Sequence, residues 1–414
     1  MALPGDDLLD SVFSDFLIRP KIFKNREVLR HDFVPAHLPH REEHIRHLGG
    51  ILAPALRGSR SSNVFIYGKP GTGKTAVVRY VLSRLVQKGQ DMGGSVRGCY
   101  VNCRVAGTDY RVLASLCEAV GISVPFTGLA KGEVFDRFRA ALDARRVLLV
   151  GVFDEVDALV RGQGDAVLYE LTRINEGLRA GKFSIIGISN DLRFKEFLDP
   201  RVLSSLSEEE VVFRPYTAVE LRDILLERAK LAFVEGALSE GVLNLCAALD
   251  AAEQGDARRA LDLLRVAAEL AEREGKPCVV EEHVRQAQEK IEQDRVVEVM
   301  RTLPLHSKLV LFSVYLMKKA DVSGAVTGNI YEVYRELCGQ LAVEVLTQRR
   351  VSGLISELDM IGLLTARVVS FGRYGRTKKV YLSVPRGVVR NVLAEDNWVG
   401  RLISYEPKCL SRGE

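Results

Sequence analysis

Gly68-Lys69-Pro70-Gly71-Thr72-Gly73-Lys74-Thr75 is the stretch from which the rest of the chain can be read. It fits the phosphate-loop pattern G-x-x-x-x-G-K-S/T in full. Before it, Asn63 to Tyr67 predicts a buried strand. After it, Ala76 to Lys88 has Val77, Val81, Leu82 and Leu85 at helical spacing. Strand, glycine loop and helix are the context the pattern requires. Glycines let backbone N–H groups close around phosphate oxygens, and the helix start adds the positive end of its dipole. Gly68, Pro70, Gly71, Thr72, Gly73, Lys74, Thr75 and Ala76 are therefore the expected nucleotide cradle. Lys74 supplies a point charge for the outer phosphates, and the Thr75 hydroxyl suits Mg²⁺. The chain is expected to bind ATP or ADP.

The 414 residues are too many for one ordinary core and predict roughly two or three domains. Hydrophobic content of 47% with 27% charge describes a soluble globular chain, and a net charge of +4 announces no polyanion by itself. Seven scattered cysteines without a C-x-x-C pair argue against a disulfide framework or a zinc site and suit a reducing, cytoplasmic setting. Cys99 and Cys103 flank a predicted strand and are expected in the core. The start of the chain lacks a secretion signal, and no apolar run approaches the roughly 20 residues that cross a bilayer.

Residues 1–30 are expected to form an extended or short helical arm. Strand signals recur at Gly98 to Asn102, Val147 to Phe153, Phe183 to Ser189 and Glu210 to Phe213. Such apolar runs suit a parallel sheet covered by helices on both faces. From Thr217 the pattern is helical: Leu221 to Phe233 behind a Thr217–Glu220 capping box, then Ser239 to Leu249, Arg258 to Glu274 and Val280 to Arg295. Beyond Pro304 come helices at Ser307 to Lys319, Asn329 to Leu341 and Thr347 to Asp359. Strands follow at Leu363 to Val369 and Lys378 to Val384, the order of a winged helix. The expected domains are 1–214, 215–297 and 298–414.

Val147 to Phe153 ends in Asp154-Glu155, at the sheet edge where ligands bind in open α/β folds. Asp154 is the expected Mg²⁺ partner and Glu155 the base that polarises the attacking water. Asn190 closes the next strand and can contact that water or the γ-phosphate. Arg201, in Asp199-Pro200-Arg201, is a candidate finger for a neighbouring subunit's nucleotide. Arg258, in Gly255-Asp256-Ala257-Arg258, opens a second-domain helix and can reach its own nucleotide; spacing alone does not exclude Arg259.

From Ile361 to Ala394 the chain has Arg367, Arg373, Arg376, Lys378, Lys379, Arg386 and Arg390 and no Asp or Glu. Contact with phosphates explains such a one-sign stretch economically. Tyr374 and Phe371 are interleaved at the hairpin tip, which is expected in a minor groove. Gln348, Arg349 and Arg350 begin the expected recognition helix, where Arg pairs with guanine and Gln with adenine.

Taken together these motifs make the chain resemble an AAA+ ATPase, and more narrowly the archaeal initiators of DNA replication of the origin recognition complex and Cdc type. The narrower resemblance rests on Val34-Pro35 with Leu38-Pro39-His40-Arg41-Glu42, Asn102-Cys103 with Tyr110-Arg111-Val112-Leu113, Asp154 to Leu159, Ser189-Asn190-Asp191, Pro200-Arg201-Val202, and Pro215-Tyr216-Thr217 with Glu220-Leu221. It implies an α/β fold: an AAA+ P-loop NTPase parallel sheet, an all-helical lid domain and a C-terminal winged-helix domain. It implies Val34, Pro35 and Arg41 near the adenine, and Tyr216 and Arg228 closing on the nucleotide. It implies an insertion over Thr108 to Glu133 whose end, with Thr127, Gly128, Leu129 and Lys131, touches DNA. It also implies origin duplex DNA and the replicative helicase as partners, self-association on DNA, and slow, regulatory hydrolysis. A DNA-binding regulator with a silent nucleotide site and a clamp-loader-like motor are the competing readings.

Overall fold

The computed structural model describes residues 21–30, 33, 35–125, 127–191, 193–321, 325–370 and 376–409. The chain divides into two compact units, Met1–Ala287 and Gln288–Glu414.

In the first unit the apolar runs become strands β1 (Val64–Gly68), β2 (Val96–Asn102), β3 (Leu148–Asp154), β4 (Lys182–Ser189) and β5 (Glu209–Phe213), in the order β2-β3-β4-β1-β5. All pairings are parallel. Every residue of β3 is buried, as expected of a central strand with helices on both faces. One face packs on the helices Asp109–Ala119, Lys131–Ala144, Val156–Gln163 and Ala166–Arg173. The other packs on Glu42–Leu52 and on the phosphate-loop helix, Lys74–Asp91. Cys99 and Cys103 are buried, where desolvation pushes both thiols up to about 12.

The lid follows as helices Ala218–Ala232, Val242–Glu253 and Ala257–Arg273. Thr217 and Glu220 form the expected capping box. The amino-terminal segment packs on this lid. The N–H groups of Lys24 and Asn25 both donate to the Ala232 carbonyl, and Phe23 stacks on Phe233 at 5.2 Å. A short 3-10 turn covers Arg26–Leu29, and Arg26 pairs with Glu272.

The second unit has its own apolar core, built on the helices Leu305–Lys319, Thr327–Leu341 and Gln348–Met360. Strands β7 (Leu364–Ser370) and β8 (Arg376–Leu382) form the antiparallel wing, with the two-residue β6 (Ala325–Val326) beside β8. The sequence left out the helix Arg386–Ala394, which buries Val389, Val392 and Leu393. The helix begun near Val280 runs on to Thr302, just short of Pro304, which cannot continue it.

Candidate nucleotide site and nucleic-acid interface

Between β1 and its helix the chain turns through Gly71 at φ +68° and Gly73 at φ +86°, where a side chain is strained. Lys74, 4% exposed, donates through Nζ to the carbonyls of Gly68 and Lys69, each at 2.7 Å. Burial, and then the nearby Arg258, lower its ammonium to about 8 against the pull of Asp154, Asp256 and Asp157. The Thr75 hydroxyl donates to Asp154 Oδ2 at 2.8 Å, and Tyr100 on β2 donates to the same oxygen at 2.6 Å. Burial and that bond raise the Tyr100 phenol to about 12. Hydroxyl and carboxylate are hard oxygen donors that suit Mg²⁺. Among the described residues no group of three or more His, Cys, Asp or Glu is placed to hold a metal ion.

Glu155 follows Asp154 in the left-handed region at φ +53°, uncommon for a residue with a side chain. Its N–H donates to Asp154 Oδ1 at 3.0 Å, and its carboxylate lies 3.7 Å from Arg104. Asn190 is exposed just past β4, which runs between β3 and β1, so it stands beside both loop and carboxylates. Arg201 is exposed on the first turn of Pro200–Leu206.

A cavity of 590 Å³ brings together Pro35, Gly71, Gly73, Thr75, Tyr216 and Arg258, within the range of nucleotide-sized sites. Ala76 and Arg228 also line it. Arg41 is 4% exposed and acts as a bracket: it donates to the carbonyls of Thr72 and Arg214 at 3.0 Å and stacks on the Tyr216 ring at 3.8 Å. Arg228 donates to the Val28 and Phe33 carbonyls at 2.9 and 3.0 Å, so its guanidinium ties the amino-terminal segment to the lid. Val34 lies outside the described residues. The sequence reading passed over Arg79, which lines the cavity and stacks on Tyr100 at 4.0 Å. Its place one turn beyond Thr75 on the phosphate-loop helix was the available signal.

The expected insertion is partly core. Thr108 caps the helix Asp109–Ala119, whose Val112, Leu113, Leu116 and Cys117 are buried. Thr127 and Gly128 are exposed, Leu129 packs on the core, and Lys131 pairs with Asp109 at 2.8 Å.

In the second unit Thr347 caps the helix that begins at Gln348, leaving Gln348, Arg349 and Arg350 exposed on its first turn. Arg350 pairs along the helix with Glu357 at 2.9 Å. Arg367 is exposed on β7 and faces Lys379 in register. Lys378 turns the other way: its Nζ donates to the Ser352 carbonyl at 3.2 Å and to the Ser356 hydroxyl. Successive strand residues point to opposite faces, so Lys378 braces the helix while Lys379 does not. Arg386 reaches the Lys318 carbonyl at 3.4 Å. Arg373 and Tyr374 lie outside the described residues, and of Arg376 only the backbone is described.

Three family models match along the chain: the AAA ATPase domain over 37–185, the Cdc6 AAA+ ATPase-type lid domain over 222–289 and the CDC6 C-terminal winged helix domain over 298–392. An ORC1-type DNA replication protein of Thermococcus onnurineus is 54% identical over 396 residues, covering 95% of both chains. The chain belongs to the ORC1-type DNA replication proteins. A second member, ORC1-type DNA replication protein 1 of Methanosarcina acetivorans, is 54% identical over 406 residues, with 98% of each chain covered. The Aeropyrum pernix ORC1 protein, solved in complex with DNA, superposes with a TM-score of 0.78 at 52% identity, covering 93% of this chain and 100% of that one. This ORC1-type protein is thus a replication initiator by family, with an AAA ATPase domain, a helical lid and a winged helix. Among its described residues no helix is long and apolar enough to cross a membrane.

Proposed function

We propose that the protein binds ATP and ADP in the cavity between sheet and lid, hydrolyses ATP slowly as a reset, and grips origin duplex DNA through its winged helix to help load the replicative helicase. The observation that carries this is that Gly71, Gly73 and Thr75 of the phosphate loop meet Arg258 of the lid on one cavity, with Asp154 bonded to Thr75 behind it. Mg²⁺, held by Thr75 and Asp154, would neutralise charge on the outer phosphates. Lys74 and the loop N–H groups hold the phosphates. Glu155 accepts the proton of the attacking water, Asn190 orients that water, and Arg258 steadies the developing charge from the lid. Pro35, Arg41, Tyr216 and Arg228 shape the adenine end. Arg201, exposed on its helix, serves a neighbouring copy on DNA.

Gln348, Arg349 and Arg350 read the major groove, while Arg367, Arg373, Tyr374, Arg376 and Lys379 form the wing contact. Thr127, Gly128, Leu129 and Lys131 offer a second contact, and Lys378 supports the reading helix. The functional boundaries are those at 214 and 297. The likeness to a homologue solved with DNA supports the duplex as partner, and the place that follows from this reading is the cytoplasmic nucleoid. Footprinting on candidate origins of the parent genome, with ATP and with ADP, tests the proposal. A nucleotide-dependent footprint is expected; no protection in either state refutes it.

A further inference from the structure

Two carboxylates of the lid take no part in the chemistry proposed above. Asp250, on the helix Val242–Glu253, is 4% exposed, and its Oδ2 accepts the N–H of Asp256 at 2.5 Å. Asp256 is itself 7% exposed and caps the next lid helix, its Oδ1 accepting the N–H of Arg258 at 2.8 Å. That oxygen lies directly over Gly71: a methyl group added to Gly71 would meet it at 1.6 Å. The N–H of Ala257 donates to the Gly71 carbonyl at 3.2 Å. The lid therefore meets the phosphate loop through Asp256 and Ala257, and Asp250 stands directly behind them.

We propose that Asp250 is a positioning residue: its ionised carboxylate seats Asp256, and through it Arg258, on the phosphate loop, and so sets nucleotide affinity without touching the nucleotide. This rests on the nucleotide-binding function proposed above. A backbone N–H held by a carboxylate makes a charge-assisted bond, stronger than one to a neutral acceptor. The second oxygen, Oδ1, is buried with no hydrogen bond among the described residues, and Arg259 Nε stands 3.5 Å away. Arg259 in turn pairs with Glu253 at 2.5 Å. Burial raises the Asp250 carboxyl to about 6, opposed by the Asp256 N–H and by Arg259 and reinforced by the charges of Asp256 and Glu253. The carboxylate thus lies close to the point where a proton would weaken its hold on the Asp256 N–H.

A fluorescent ADP analogue titrated against the full chain, Asp250→Asn and Asp250→Ala, from about pH 5 to about pH 8, tests this. The analogue's own phosphates titrate identically for all three proteins, so the ratio between proteins is the readout. Near pH 8 the unaltered chain should bind about fivefold more tightly than the Asn variant, and the two should converge near pH 5, because the amide mimics the protonated acid. The Ala variant should bind about tenfold more weakly near pH 8. A ratio that stays constant across the range, or equal affinities near pH 8, overturns the proposal. Should the Ala variant fail to fold, the Asn pair decides alone. If the unaltered chain takes up no analogue at any pH, it is the nucleotide site that fails.

Discussion

Lys74 pits burial against charge, and the balance sets its pH behaviour. Its ammonium is lowered from 10.5 to about 8 in the folded chain. Between those values the unfolded chain carries a proton the folded chain lacks, so nucleotide-free stability rises with pH through that window. Phosphates favour the protonated form, so nucleotide binding should weaken above about pH 8. The check is the thermal shift given by ADP, which should shrink from about pH 8 to about pH 10. Lys74→Ala should cost nucleotide binding about 3 kcal/mol, roughly 100-fold, by calorimetry. Glu155→Gln should keep nucleotide affinity and lose at least about 100-fold in turnover. Brisk hydrolysis in that variant would point to another base. The positions of these two residues stood out in the sequence because the glycine loop and the acidic end of an apolar strand are local patterns. The bracket made by Arg41 was not legible, because its partners Thr72, Arg214 and Tyr216 come from distant parts of the chain.

Among elements, the reading helix of the winged unit carries a restraint that its first turn did not reveal. Glu357 holds Arg350 along the helix at 2.9 Å. Glu357→Gln should release that guanidinium, raise DNA affinity several-fold at moderate salt and steepen the salt dependence by about one unit. Filter-binding titrations at several ionic strengths measure both; an unchanged affinity and slope would mean that Glu357 does not keep Arg350 from the DNA. In the lid, Thr217→Ala removes one half of a capping box and should lower stability by about 1 kcal/mol in denaturant melts. The box was visible in the sequence because its two residues are one turn apart. The inward turn of Lys378 was not, because a run of like charges does not say which face of a strand each side chain takes. The helix Arg386–Ala394 escaped because its short apolar stripe follows a hairpin without a break strong enough to mark a new element.

At the scale of the molecule, each unit has an apolar core of its own. The fragment 288–414 should therefore melt cooperatively by itself and bind duplex DNA with no response to ADP, while 1–287 should bind ADP. Calorimetry on the two fragments, with and without nucleotide, distinguishes this from one shared transition. The amino-terminal segment was expected as an arm; its docking on the lid through Phe23, Asn25 and Arg26 became visible only in three dimensions.

The elements and the phosphate-loop motif were written in the chain itself. Glycine conformations, apolar runs and helical spacing act between near neighbours, so phosphate loop, sheet, lid and winged helix could all be read in order. Folding alone decided which charges meet: Asp250 behind Asp256, Asp256 over Gly71, Arg228 on the amino-terminal carbonyls, Lys378 against its helix. Apart from Asp250 and Asp256, six residues apart across a helix-to-helix loop, those partners are far apart along the chain, and a buried charge is stabilised only by the groups that packing brings to it.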